Sequence, residues 1–277
     1  MTIDQKYERL EEILREIGSA AVAFSAGVDS TFLLRVAIDT LGSKNVVAVT
    51  GQSDSLARAE FDQAGKLAES MGAEHVILDT DEFQNANYTS NPINRCYYCK
   101  TALYTHLERF ITERGLAAII SGTTADDLGD FRPGIEAGHE HRVRSPIAEA
   151  GLTKSDVREL SNRLGLETHD KPATPCLSSR VQYGETITPK KLRMIEAAEA
   201  FLHEMGIREC RVRHHGHLAR VEVPPAMIPR LAEPEMASRI DQHFRSLGYQ
   251  YVTIDLRGFR SGSMNEVITL DGIQLGG

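Results

Sequence analysis

The hydrophobic positions of the first half of the chain fall into short runs separated by amphipathic stretches. Tyr7, Leu10, Ile13 and Leu14 share one face of a helix expected over residues 3–17. Ala20 to Phe24 is an apolar run too short for a helix and closed by a turn signal, so it reads as a buried strand. After a small-residue turn, Phe32, Leu33, Val36, Ala37 and Leu41 recur at helical spacing. NVVAVTG (45–51) reads as a second strand, LARAEFDQAGKLAESMG as a helix ended by Gly72, and HVILDTD (75–81) as a third strand. A helix over 99–114 leads to a fourth strand, AAIISGT (117–123). An acidic turn, a loop and a helix over 153–165 follow, with Thr153 as its cap and Gly165 at its end. Strands separated by helices of this length predict βαβ units and an α/β domain on a parallel sheet.

Around Pro172 the pattern becomes loop-like, through KPATPCLSSRVQYG up to Gly184. Beyond it, TPKKLRMIEAAEAFLHEMG reads as a helix and ECRVRHHGHLARVEVP as two strands about a His-Gly-His turn. Residues 226–247 read as a helix interrupted near Pro234, and YQYVTIDL as a closing strand. This order predicts a smaller α+β domain with a partly antiparallel sheet, and the boundary is placed near residue 186, giving domains 1–185 and 186–277.

Composition narrows the class without naming a function. The chain has 277 residues, 41% of them hydrophobic and 25% charged, as an ordinary globular protein has. A net charge of −8 argues against a general nucleic-acid binder. No apolar run is long enough to span a bilayer, and the first eighteen residues read as an acidic amphipathic helix, not a signal peptide. A cytoplasmic location is expected. In that setting the four cysteines point to metal or redox chemistry before structural disulfides.

The strand at 20–24 runs into Ser25-Ala26-Gly27-Val28-Asp29-Ser30 and then into a helix start. Strand, tight turn and helix N-terminus together offer backbone N–H groups and the positive end of a dipole, which is a phosphate site in physical terms. The bland reading of the same residues is a strand-to-helix corner capped by Ser or Asp. No Gly-Lys-Ser/Thr follows, so the loop is not of the Walker A type. A carboxylate at Asp29 is a poor neighbour for a triphosphate unless a cation bridges them, and Mg²⁺ suits that role. In an open α/β sheet ligands lie at the carboxyl ends of the strands. Those ends are Ser25–Ser30, Gly51–Asp54, Asp79–Asp81 and Gly122–Asp127, with Asp126, Asp127 and Asp130 forming an acidic cluster beside Arg132. Such a cluster is as readily a solvated turn as a cofactor contact.

Cys96 and Cys99 stand three apart at an expected helix start, on one side of the helix, where the dipole favours thiolates. A lone CxxC is compatible with a redox pair, half a zinc site or part of an iron–sulfur site. Cys176, in the Pro-rich loop TPCLSSR, would supply a third thiol, one short of a closed four-cysteine site. Cys210 precedes an alternating strand and reads as an ordinary buried thiol. Arg211 and Arg213 alternate along that strand and share a face, while Arg180 and Arg260 sit in Ser- and Gly-rich loops. Converging guanidiniums would suit a phosphate and carboxylates, although any one of them alone reads as a solvated side chain. The three histidines His214, His215 and His217 read as a solvated turn and are assigned no role.

SAGVDS resembles the Ser-Gly-Gly-X-Asp-Ser loop of the PP-loop ATP pyrophosphatases, with Ala26 where that family has a second Gly. Together with DFRPG, CLSSR, the RVRHH strand and the terminal GFRSGSMN, it makes nearly the whole chain resemble the LarE family. That family comprises ATP-dependent sulfur transferases acting on a pyridinium carboxylate mononucleotide, toward the nickel-pincer cofactor of lactate racemase. The resemblance implies an ATP site at Ser25, Ala26, Gly27, Val28, Asp29 and Ser30, with Gly122, Asp127, Arg180 and Arg260 as further cofactor contacts. It implies catalytic roles for Cys176, Asp29, Arg211 and Arg213, the two last holding the substrate's anionic groups. One branch of the family sacrifices the sulfur of a cysteine matching Cys176 and lacks the CxxC. This sequence has both, so it resembles the branch in which Cys96, Cys99 and Cys176 hold a [4Fe-4S] cluster that carries sulfide.

By the same resemblance ATP, Mg²⁺ and the cluster are the expected cofactors. The partners are a pyridinium mononucleotide and sulfide or another sulfur donor, with no membrane or nucleic acid. A homo-oligomer, hexameric in the family, would be built through the second domain, which would also bind substrate. Glu199 and Glu222 match positions where the family places a metal, but Arg230 replaces an acid there. A tRNA-thiolating PP-loop enzyme, an amide-forming ligase and an iron–sulfur or nucleotide sensor remain as alternatives.

Overall fold

The computed structural model describes residues 1–129 and 133–260. Asp130, Phe131 and Arg132, and with them part of the DFRPG motif, lie outside the described residues, as does GFRSGSMN beyond Arg260. The described residues form two compact units, one of Met1–Tyr88 with Asn94–Thr174 and one of Thr89–Ile93 with the chain from Pro175.

The first unit is built on a four-stranded parallel sheet. Strands β1 (Ala20–Ala23), β2 (Val46–Gln52), β3 (Glu74–Asp79) and β4 (Ala118–Ser121) lie in the order β3-β2-β1-β4. β1 is therefore central, and its side chains alternate between two cores. Ala20 and Val22 join Leu10, Leu14, Phe32, Leu33, Leu34 and Ile147 on one face. Ala21 joins Val47, Val49, Tyr104, Leu107 and Ile119 on the other. Phe32, Leu33 and Leu34 are fully buried, and each contributes roughly 1.5–3 kcal/mol by leaving water. That burial anchors the Val28–Leu41 helix, whose N-terminus meets the end of β1.

Local signals set most helix ends. Thr2 and Gln5 form a capping box for the Ile3–Ile17 helix, and Gly18 ends it at φ 79°. Thr153 and Asp156 do the same for the Lys154–Arg163 helix. The expected helix over 99–114 begins earlier, at Arg95, and its Gly115 end is left-handed. The stretch read as loop after the acidic turn contains the Pro133–Glu140 helix and a turn of helix at Pro146–Glu149. Gly134 and Gly138 mask the helical pattern in sequence. In the structure Gly134 packs closely on the Arg95–Arg114 helix, where a Cβ would lie 3.1 Å from Lys100 Cγ, whereas a Cβ on Gly138 would make ordinary contact with Tyr104 at 3.8 Å.

The second unit carries a three-stranded sheet in the order β5-β6-β7, of Arg211–His215, Leu218–Glu222 and Tyr251–Ile254. β5 and β6 pair antiparallel and β6 and β7 parallel. The helices Pro189–Glu204 and Pro234–Leu247 cover it through Leu202, Ile240 and Phe244, which pack with Val212, Val221 and Tyr249. The short segment Thr89–Ile93 is sewn to this unit by buried Asn91, whose amide donates to Val181 O (3.2 Å) and Gln182 O (2.7 Å).

Candidate active site

The loop that leaves β1 is shaped by its small residues. Ala26 is fully buried and left-handed, at φ 55°, a conformation that costs an L-residue with a Cβ roughly 1–2 kcal/mol. Gly27 follows as the extended N-cap of the Val28–Leu41 helix and supplies no side-chain cap. An uncapped helix start offers its first-turn amides and the positive end of its dipole to an anion. Ser30 closes the loop on itself: its Oγ lies 3.1 Å from Ser25 Oγ and accepts the Ser25 N–H at 3.3 Å. Asp29 stands on the first turn and is half-buried. Ser25 is exposed, while Val28 and Ser30 are buried.

Neighbouring strand ends hold the loop from the sides. Gly122, just after β4, lies so close that a Cβ there would be 2.8 Å from the Ser30 nitrogen and 2.9 Å from the Asp29 carbonyl carbon. Thr50 of β2 donates to Phe24 O at 2.9 Å and meets His75 Nε2 at 2.9 Å. Burial lowers the pKa of His75, favouring the neutral ring. Lys171, in the Pro-rich stretch, reaches Ala26 O at 3.2 Å and also bonds Glu60 (2.6 Å) and Gln63 (2.7 Å). No sequence signal marks it, because a lysine after a turn is ordinarily solvated. Glu60 and Gln63, i and i+3 on one helix, are the only hint of an acceptor pair.

Asp127 is buried and turned back into its own loop. It accepts the Thr124 N–H and hydroxyl, both at 2.9 Å, and meets Lys154 Nζ at 2.8 Å. Asp126 accepts Lys154 N at 2.6 Å and so ties the acidic turn to the start of the Lys154–Arg163 helix. Asp130 and Arg132 lie outside the described residues.

Cys96 and Cys99 occupy the first turn of the Arg95–Arg114 helix, the first exposed and the second partly so. Gly134 packs over this turn, with its Cβ position 3.7 Å from Cys96 O. Beside them Tyr97 donates to Glu140 at 2.6 Å, which holds its hydroxyl proton more tightly than usual. Among the described residues no three His, Cys, Asp or Glu side chains gather into a metal site. Cys96 and Cys99 belong to the first unit and Cys176 to the second.

Cys176 is exposed and caps the short 3-10 turn Leu177–Arg180. Arg180 is 2% exposed and runs beneath that turn. Its Nε and Nη2 fork onto the two oxygens of Glu199 at 3.0 and 3.1 Å, and its Nη1 donates to the carbonyls of Pro175 and Cys176. Glu199 also accepts Val212 N at 2.9 Å. Arg180 is thus a buried strut fixing the cysteine loop to β5. A sequence cannot distinguish this from an anion-binding arginine, because the difference is the burial of Glu199.

Arg213 makes a similar buried pair, with Glu222 at 2.9 and 3.0 Å, and donates to Ser179 O at 3.0 Å. Arg220 reaches the other oxygen of Glu222 at 3.1 Å. The carboxylates of Glu199 and Glu222 therefore face guanidiniums. Arg211 lies over the Phe259 ring at 5.1 Å, and burial, followed by the nearby Arg180 cation, lowers its pKa. Arg260 bonds Gly258 O at 2.8 Å and Asp255 at 3.4 Å. Cys210 is fully buried, and desolvation pushes its thiol up to about 12, as expected of an inert core cysteine. His214 corrects the reading of a solvated turn: it is 2% exposed, bonded to Tyr249 Oη at 3.2 Å, with its pKa lowered by burial.

A scan against protein-family models found none that matches. The chain is 43% identical over 267 residues to an uncharacterized protein of Synechocystis sp., covering 96% of this chain and 99% of that one. It is 38% identical over 268 residues to the pyridinium-3,5-bisthiocarboxylic acid mononucleotide synthase of Lactiplantibacillus plantarum, covering 97% of this chain and 96% of the synthase. An argininosuccinate synthase of Haloarcula marismortui is 28% identical over 163 residues, 54% of this chain and 38% of that protein. The match to the bisthiocarboxylic acid synthase along both full lengths, and a glycine-guided loop at the end of the central parallel strand, lead to one conclusion: the chain belongs to the LarE family, within the PP-loop ATP-using enzymes.

Proposed function

We propose that this chain adenylates a carboxylate of a pyridinium dicarboxylate mononucleotide with ATP and converts it to a thiocarboxylate. The observation that carries the reading is the left-handed, uncapped loop at Ala26–Gly27, joined to a full-length similarity to a bisthiocarboxylic acid synthase.

In this reading Ser25, Ala26, Gly27, Val28, Asp29 and Ser30 receive the ATP phosphates through loop amides and hydroxyls, with Gly122 keeping the loop in place. Asp29 would hold Mg²⁺ on the pyrophosphate, because hard oxygen ligands and a phosphate suit that ion. The substrate carboxylate attacks the α-phosphorus, the bond to the bridging oxygen breaks, and pyrophosphate leaves with its charge. The product is an acyl-adenylate, and a sulfur nucleophile then displaces AMP from its carbonyl carbon. Arg211 and Arg213 would receive the substrate's anionic groups, with Asp127, Arg180 and Arg260 as further cofactor contacts.

Cys96, Cys99 and Cys176 suit a [4Fe-4S] cluster as a donor set, since all three are at least partly accessible thiols and two lie on one helix turn. A cluster held by three cysteines would supply a sulfur nucleophile without consuming the protein. Sulfide or a sulfur donor is then a co-substrate, the second unit receives substrate and joins copies in a homo-oligomer, and the setting is cytoplasmic. None of the described helices is long and apolar enough to cross a membrane.

The test is direct. Purified protein given ATP, Mg²⁺, sulfide and the pyridinium dicarboxylate mononucleotide should release pyrophosphate only when the mononucleotide is present. Mass spectrometry should show oxygen replaced by sulfur in the product. Substrate-independent pyrophosphate release, or none, would overturn the reading.

A further inference from the structure

Lys171 carries an inference that the established family role of the loop does not contain. Its ammonium has three N–H donors, and all three are committed: to Ala26 O, Glu60 and Gln63 at 3.2, 2.6 and 2.7 Å. The side chain is 14% exposed. Its own backbone is fixed as well, because Arg158 donates to His169 O and Lys171 O, both at 2.9 Å. A lysine whose donors are all used inside the protein is not poised to bind a phosphate itself. Its contact with the loop is the carbonyl of Ala26, the one residue there held in a left-handed conformation that an alanine disfavours. Among the described residues, Lys171 is the donor to that carbonyl.

We infer that Lys171 is a positioning residue: it locks the Ala26 peptide in the left-handed turn, and thereby aims the Gly27–Ser30 amides at the anion. Glu60 and Gln63 hold the ammonium in place, so the Arg58–Ser70 helix takes part in shaping the loop. The lock stands in for a second glycine in the loop, which would adopt positive φ without help. The inference rests on the reading of this loop as the ATP phosphate site.

The experiment is a double-mutant cycle on the full chain with Lys171→Met and Ala26→Gly, read by calorimetric Mg-ATP binding and by thermal unfolding. Lys171→Met should weaken Mg-ATP binding roughly tenfold, the equivalent of about 1.4 kcal/mol and of the cost of a left-handed alanine. In the Ala26→Gly background the same change should cost at most about twofold, because glycine needs no lock. A merely structural lysine would cost the same in both backgrounds, and that result would overturn the inference. So would unchanged binding in Lys171→Met. Glu60→Gln, which leaves the lysine present but loosely held, should show a smaller loss with the same rescue, and serves if Lys171→Met does not fold. If the wild-type chain binds no Mg-ATP, the phosphate reading fails. The thermal cycle still decides the lock: non-additive midpoints support it, and additive ones overturn it.

Discussion

Gly122 and Ser30 are placed so that no side chain fits between them: a Cβ on Gly122 would lie 2.8 Å from the Ser30 nitrogen. The backbone at the end of β4 is therefore a wall of the loop that leaves β1. The requirement is one of space, because Gly122 is not among the glycines with positive φ.

Gly122→Ala should shift the loop and destabilise the fold by about 1–3 kcal/mol, as overpacking does. Pyrophosphate formation should fall more steeply than stability. Gly129→Ala, where a Cβ meets nothing within 4 Å among the described residues, is the matched control. Urea midpoints and a pyrophosphate assay on both variants check this.

Asp29→Ala should keep the fold, since Asp29 is half-buried on a helix whose core residues are Phe32, Leu33 and Leu34. If Asp29 acts through Mg²⁺, this variant should lose pyrophosphate release altogether. Undiminished release by a folded variant would remove that role.

Arg180→Met should cost about 3–5 kcal/mol, because it leaves Glu199 buried without its fork partner. Glu199→Gln in the same chain should recover part of that loss by removing the stranded charge. Denaturant unfolding of the two single variants and the double variant gives the coupling.

The cysteines separate a catalyst from a sacrificial reagent. Anaerobic reconstitution should give about four irons per chain, and alanine at Cys96, Cys99 or Cys176 should abolish both iron and multiple turnover. Cys210→Ala should keep both, since that thiol is fully buried and neutral. Loss of one sulfur from Cys176 after a single turnover, seen by mass spectrometry, would assign the sacrificial route instead.

Stability should fall as the solution is acidified below the ordinary histidine value of 6.5. Burial lowers the pKa of His75, His214 and His215 in the folded chain. Below 6.5 the unfolded chain takes up protons that the folded chain refuses, so this stabilisation is complete above that value and is lost toward the folded ones. On the alkaline side Cys210 works the other way: its contribution is complete below its ordinary 9.0 and is lost as pH rises toward about 12. Thermal midpoints across the range test both limbs, and His214→Gln should flatten the acid limb.

Most of the order of elements was legible in the sequence, because those elements rest on local chemistry. Apolar runs such as Ala20–Phe24 have no stable place except a doubly covered strand, and the Thr153–Asp156 capping box starts a helix wherever it stands. The turn at Ser25–Ser30 between β1 and the next helix could be read for the same reason, since small residues between a strand and a helix leave few conformations. The Pro133–Glu140 helix could not be read, because its glycines carry no helical signal and the close approach of Gly134 to the Arg95–Arg114 helix is seen only in the fold. The arginines divide in the same way. Alternation put Arg211 and Arg213 on one face, but only the folded unit shows Arg180 on Glu199 and Arg213 on Glu222. Lys171 reaches Ala26 across 145 positions of sequence. Local pattern fixes what a segment is, whereas partnership between buried charges depends on which distant acceptors burial brings within about 3 Å.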